Sequence, residues 1–254
     1  MRKAPPWRRR TGPTSRSSSS SAVLEAVFFD VGNTLIHPYP SVSHVCREIL
    51  ASAGHHHGLE AIDDLMPLVD AYYEDRYRSD DTFWTSEEET SGVWVGMYAL
   101  LCRRLGVGEE EAVVLARRVY DEFGDPARWR PYPDVLPALT RLRDRGLCLG
   151  AISNWDSRLE GVLGGTGVGD LLDTVVSSAD VALHKPDPRI FELACERLGV
   201  APAAAAHVGD HEYADLLGAR SVGMLAVLVD RHGAGAPDAI ADFEALEDAL
   251  GLEG

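Results

Sequence analysis

Four short runs in the second half of the chain, LCLGAIS (147–153), TVVSS (174–178), AAAHVG (204–209) and MLAVLVD (224–230), are apolar along most of their length rather than at alternate positions. A strand of that kind has to be covered on both faces, which is the condition of a parallel sheet between helices and not of a half-solvated antiparallel one. The intervening segments supply the helices. DVLPALTRLRDRG begins at a candidate N-cap, Asp134, places Val135, Leu136, Leu139 and Leu142 on one face and stops at Gly146. DPRIFELACERLG (187–199) and YADLLGARSVG (213–223) are read the same way. From residue 131 onward the chain therefore reads as βαβ units, an α/β core with a Rossmann-like parallel sheet. AVFF, just before Asp30, is a further buried strand of that sheet.

Residues 39–130 follow another rule. Helical spacing runs through roughly 43–52, 60–79, 86–105 and 109–123 with little strand character. The stretch is too long for an ordinary βα connection and is expected to form an inserted all-helical domain. Core residues 22–38 and 131–254 would flank it, with HPYP (37–40) and RPYPD (130–134) as linkers. The first 21 residues carry six basic and no acidic side chains and read as a disordered tail. They lack the apolar centre of a secretory signal, although an Arg- and Ser-rich start also resembles an organelle transit peptide.

Without those six charges the body keeps 18 basic against 40 acidic residues, a formal charge of about −22. That balance repels nucleic acid and anionic membrane, and no apolar run reaches the ~20 residues of a membrane span. Cys46, Cys102, Cys148 and Cys195 stand singly, with no CxxC pair. They are expected to be reduced thiols in a cytoplasmic protein. No feature of the sequence sets an oligomeric state.

In an open parallel sheet, ligands bind beyond the carboxyl ends of the strands. The polar residues at those ends are Asp30, Ser153 and Asn154, Lys185, and Asp210, with Asp215 one helical turn further on. Lys185 stands out because Lys3 is the only other lysine, while arginine is abundant. A compact ammonium beside a carboxylate is not interchangeable with a guanidinium fork. Asp215 is either a direct ligand or a supporting acid, and Thr34 is expected to brace the loop after Asp30 within the substrate-binding set. Other features have simpler readings. His55, His56 and His57 lie in a glycine-flanked stretch and read as solvated. Phe83, Trp84, Trp94 and Tyr98 either roof a pocket or, as the simpler expectation, fill the bundle core.

The contexts DVGNT, ISNWD, HKPDP and VGDHEYAD, in this order, resemble the four motifs of the haloacid dehalogenase (HAD) superfamily. The helical insertion matches the position of that family's type 1 cap, and SNWD and GDHEYADLLGARSVGM look most like its phosphatase-like branch. The resemblance implies a Mg²⁺-dependent hydrolase of a small phosphorylated metabolite. It implies Asp30 as nucleophile, Lys185 as the catalytic cation, and Ser153, Asn154 and Thr34 as substrate-binding. Asp30, the Gly32 carbonyl, Asp210 and Asp215 would form the metal set. One departure matters: the family commonly has a second acid two residues after the nucleophile, where this chain has Gly32. Weak general acid–base catalysis is the expectation, unless His37, His211 or an insertion residue substitutes. The alternatives are a catalytically weak phosphate-ligand-binding protein and a 2-haloacid dehalogenase, whose aspartate attacks carbon without metal. A phosphonatase-like reading needs a lysine in the insertion, which has none.

Overall fold

A computed structural model describes residues 23–252, so the expected tail at 1–21 lies outside the described residues. Seven strands are present: β1 (Ala26–Phe29), β2 (Ile36–Pro38), β3 (Trp129–Pro131), β4 (Cys148–Ser153), β5 (Thr174–Ser177), β6 (Ala205–Gly209) and β7 (Leu225–Leu228). Five of them form one sheet in the order β5-β4-β1-β6-β7, parallel at every pairing. The central strand shows why the sequence needs two covering layers. Val27 and Phe29 enter one large apolar cluster, while Ala26 and Phe28 enter another with Ile190 and Phe191. Helices α6 (Val135–Asp144), α7 (Leu159–Thr166), α8 (Ser178–Val181) and α9 (Pro188–Leu198) connect these strands, after five helices of the insertion. Fold class and strand positions match the sequence reading.

Between β2 and β3 the chain is helical: α1 (Val42–Ser52), α2 (Leu59–Asp63), α3 (Met66–Ser79), α4 (Glu87–Arg104) and α5 (Glu109–Glu122). The single helix expected at 60–79 is instead two, because Pro67 lacks the N–H that a continuous helix would need and starts a new one. Ser86 caps α4 by accepting from the Glu89 N–H, and Glu87, Glu88 and Glu89 occupy its positive end. The expected linkers are not free strands of chain. Ile36, His37 and Pro38 pair antiparallel with Pro131, Arg130 and Trp129, so the insertion enters and leaves through one two-stranded ribbon. Among the described residues no helix is long and apolar enough to cross a membrane.

Candidate active site

β1 pairs with β4 on one side and β6 on the other, which brings the residues after these strands to one rim. The Asp30 N–H bonds to the Val208 carbonyl at 2.8 Å, holding the first carboxylate at the sheet edge. Its Oδ1 accepts from Ser153 Oγ at 2.9 Å and from Lys185 Nζ at 2.6 Å. Lys185 Nζ also donates to Asp215 Oδ1 at 2.6 Å. This ammonium is 2% exposed, and although burial pushes its pKa down, Asp215 and Asp30 outweigh that and hold it above the ordinary lysine value.

Asp215 is set by close packing. Gly209 has no side chain, and a Cβ there would sit 2.2 Å from Asp215 Cγ, so only glycine lets the carboxylate approach the strand. A π-helical turn, Glu212–Leu217, carries Asp215 back toward the rim. Its oxygens are already well used: Oδ1 meets Lys185 and His207 Nε2 at 2.8 Å, and Oδ2 accepts from the His211 N–H at 3.0 Å. Burial would raise this carboxyl, but Lys185 and His207 hold it well below the carboxylate range. His207 is fully buried, and burial pushes its own pKa down against the pull of Asp215, whose carboxylate accepts from its Nε2.

One oxygen each from Asp30, Asp210 and Asp215 lie within 4.8 Å of one another. Asp210 is the member open to the pocket. The surrounding protein nonetheless desolvates it, and together with the Asp30 and Asp215 charges this pushes its carboxyl up to about 8. With Lys185 as the neighbouring cation, the trio keeps excess negative charge at oxygen donors. Such a set fits a small hard cation, Mg²⁺ in particular, which takes a few carboxylates and keeps waters.

Asn154 lines the same cavity, but both ends of its amide reach the Lys185 backbone: Oδ1 accepts from its N–H at 2.7 Å and Nδ2 donates to its carbonyl at 3.0 Å. It therefore holds the lysine, and the amide expected to face substrate is largely spent. Thr34 is not brought to the cavity wall. It is fully buried, and its hydroxyl has no hydrogen-bond partner among the described residues, so the expected side-chain brace is not formed. The loop is held instead through the Thr34 carbonyl, which accepts from Arg231 at 3.0 Å, while Arg231 pairs with Asp134 at 2.6 Å. Asp134 correctly marks the start of α6 but makes no side-chain cap, because its carboxylate is taken by Arg231 and the Phe243 N–H.

The cavity above the carboxylates measures about 350 Å³ and lies between this rim and the helical insertion. Trp84, Trp94 and Tyr98 line it and also pack in the apolar clusters of the insertion, so these rings fill the bundle core and roof the pocket at once; Phe83 is packed away beneath Trp84. A second group escaped the sequence reading. Tyr120 Oη lies 2.9 Å from Asp156 Oδ2 and 3.2 Å from Glu87 Oε1, and the other Glu87 oxygen accepts from the Ser157 N–H at 2.9 Å. Arg158 grips Asp156, stacks 3.7 Å from the Tyr120 ring centroid and donates to the Tyr120 carbonyl. Helices α4 and α5 are thus tied to the loop after β4. Of the two histidines considered as substitutes, His211 lines the cavity and accepts from the Ala214 N–H at 3.1 Å through Nδ1, leaving the proton on Nε2. His37 instead bonds to the Pro38 carbonyl and packs on Tyr132.

A parallel sheet whose strand ends present these carboxylates and one buried lysine defines a class, and comparison with known proteins agrees. The family model for haloacid dehalogenase-like hydrolases matches residues 24–223, and the chain belongs to that family. It is 33% identical over 212 residues to haloacid dehalogenase-like hydrolase domain-containing protein 3 of Homo sapiens, covering 81% of this chain and 82% of that one. It is 32% identical over 215 residues to the glyceraldehyde 3-phosphate phosphatase of Methanopyrus kandleri, covering 82% and 85%. Among solved structures it resembles a HAD phosphatase from Thermococcus onnurineus, with a TM-score of 0.61 and 30% identity over 90% of this chain and 98% of that one. The protein is a hydrolase with phosphatase relatives.

Proposed function

We propose that this hydrolase is a Mg²⁺-dependent phosphoric monoester hydrolase that works through an aspartyl-phosphate on Asp30. The observation that carries the reading is the Lys185 ammonium bonded to both Asp30 and Asp215, with Asp210 close by. Asp30 and Asp210, with the Gly32 carbonyl, would hold the metal; Asp215, whose oxygens are occupied, supports them. Bound there, Mg²⁺ would neutralise phosphoryl oxygens and relieve repulsion among the carboxylates.

An Asp30 oxygen attacks phosphorus and the bond to the leaving oxygen breaks, its electron pair departing with the leaving group. Lys185 and Ser153 orient the carboxylate and offset charge on the phosphoryl group. Water then attacks phosphorus, the acyl-phosphate P–O bond breaks, and Asp30 is regenerated with release of inorganic phosphate. Gly32 supplies no proton to the leaving oxygen and accepts none from the water, so poor leaving groups depart slowly. His211 is the histidine lining the cavity that stands nearest in chain to Asp210 and is the candidate to replace that acid.

Residues 39–130 are proposed to act as a cap that opens and closes through the β2–β3 ribbon, admitting a small phosphorylated metabolite and excluding water. The acidic body supports a small-molecule substrate over nucleic acid, and four free cysteines support a reducing, cytoplasmic setting. The dehalogenase alternative is disfavoured because the carboxylate trio would repel a haloacid unless a cation intervened. The test is phosphate release across a panel of phosphorylated metabolites with and without Mg²⁺, beside halide release from 2-haloacids, using Asp30→Asn as control. Mg²⁺-dependent phosphate release that Asp30→Asn abolishes is the expected result. Metal-independent halide release would replace the reading with dehalogenation, and tight phosphate-analogue binding without any turnover would replace it with ligand sensing.

A further inference from the structure

Nine of the 23 residues lining the cavity carry Phe, Trp or Tyr rings, and six of these form one continuous path. Tyr73 stacks on Trp94 at 6.0 Å, Trp94 on Tyr98 at 6.4 Å, and Tyr98 on Phe123 at 6.1 Å. Phe123 meets Trp129 at 5.7 Å, and Trp129 meets Trp155 at 4.9 Å. All six line the cavity. The path starts on the insertion and ends beside the metal-type carboxylates, where Trp155 abuts Gly32.

We propose that the preferred substrate is a phenolic phosphate monoester, its aromatic ring held in this wall; the inference rests on the phosphatase reading above. Two further observations agree with it. First, the charged groups of the wall are already engaged: Arg158 is gripped by Asp156 and the Tyr120 carbonyl, leaving little to recognise the hydroxyls, amine or second carboxylate of a polar metabolite. Second, the position that would protonate a leaving oxygen is Gly32, and a phenolate leaves without that proton far more readily than an alkoxide. Wall and chemistry thus select the same leaving group. At about 350 Å³ the cavity is at the small end for small-molecule pockets, which suits a compact aryl ester and not a polymer end. An aromatic cage also suits a quaternary ammonium, but an ester of that kind leaves as an alkoxide, which needs the proton that Gly32 does not supply.

Binding separates the ring from the chemistry. Calorimetry on the Mg²⁺-loaded wild-type protein would compare phenylphosphonate with methylphosphonate, and competition on the same protein would rank choline phosphate beside them. Phenylphosphonate is expected to bind at least about tenfold more tightly than methylphosphonate, and Trp94→Leu to remove most of that difference, weakening phenylphosphonate far more than methylphosphonate. Kinetics should follow, with phenyl phosphate showing a lower KM than acetyl phosphate, which has a good leaving group but no ring. Equal affinity for the two phosphonates on the wild-type protein would overturn the proposal, as would preference for choline phosphate. Both results are readable even if Trp94→Leu fails to fold. Failure of the phosphatase reading has a different signature: the phenyl preference persists in binding, while no compound releases phosphate.

Discussion

The Trp155 ring lies against Gly32, with Cζ3 3.5 Å from the point where a Cβ would stand. That is ordinary van der Waals contact. The backbone at Gly32 is not in the left-handed region that favours glycine. The missing acid is therefore not excluded by the loop; an aromatic face stands where a longer side chain would extend.

Gly32→Asp is accordingly expected to fold and to gain on poor leaving groups. General acid–base help is typically worth ~10²–10⁴ in rate. We expect kcat/KM for an alkyl phosphate to rise at least about tenfold, with a smaller change for an aryl phosphate. Steady-state kinetics on one ester of each kind, with melting curves as a folding control, checks this. A wild type already brisk on both, beside a folded variant that gains nothing, would show that another group, His211 first, performs the acid–base work.

Asp210→Asn separates metal binding from charge repulsion. The carboxylate trio has oxygens within 4.8 Å, and at pH 9, above the raised Asp210 value of about 8, removing that charge relieves about 1 kcal/mol of repulsion in the metal-free protein. In chelator the variant should melt higher than wild type, by about 2–4 °C. In Mg²⁺ the order should reverse, because wild type gains from binding and the variant gains little. Scanning calorimetry in both conditions reads the crossing. A variant that responds to Mg²⁺ as wild type does would place the metal elsewhere.

Asp30, Ser153 and Asp210 were legible because each lies where an apolar run gives way to polar residues, and a parallel sheet sends such ends to one rim; Lys185, in the loop beyond α8, was legible as the single lysine after Lys3. What escaped depends on contacts distant in sequence. Glu87 and Ser157 are joined across 70 positions, and Arg231 and Thr34 across 197, with no local pattern to announce either. The aromatic wall was half legible for another reason: a ring filling a bundle and a ring lining a cavity obey the same helical spacing, and only the packed insertion shows that these rings do both. The split at Pro67 was a local signal and could have been read.

Asp134 and Arg231 form the buried brace behind the nucleophile loop, their side chains 15% and 4% exposed. Burial alone would raise the Asp134 carboxyl, but the Phe243 N–H and Arg231 outweigh it and hold the pKa below the ordinary aspartate value. A depressed carboxyl stabilises the fold above its unfolded pKa of about 4, and that contribution disappears as pH falls through the lower folded value. Asp134→Asn should cost about 2 kcal/mol at pH 7. The gap in stability between variant and wild type should stay level down to about pH 5 and narrow below about pH 4. Urea unfolding at several pH values measures it, and a gap independent of pH would show that the ion pair contributes nothing.

The last prediction concerns the contact between insertion and core. Glu87 accepts from the Ser157 N–H at 2.9 Å and lies 3.2 Å from the Tyr120 hydroxyl, which also reaches Asp156 at 2.9 Å. The Glu87–Ser157 and Tyr120–Asp156 bonds span the crevice over the cavity, so they exist only when the helices rest on the rim, whereas the Glu87–Tyr120 bond lies within the insertion. Removing them should favour an open arrangement without touching Asp30 or Lys185. Each net hydrogen bond to a charged group is worth about 1.5–3 kcal/mol, part of which water recovers in the open form. Glu87→Ala is therefore expected to lower kcat/KM about tenfold, chiefly through KM, because a fraction of the protein must first close. Spin labels at Val113 on α5 and Leu225 on β7, both exposed in the structure, report the distance directly. In the variant that distribution should broaden toward longer separations, and a phosphate analogue should restore it. Unchanged distances beside an unchanged KM would show that the helices stay on the rim without this latch, and that closure is held by the aromatic wall instead.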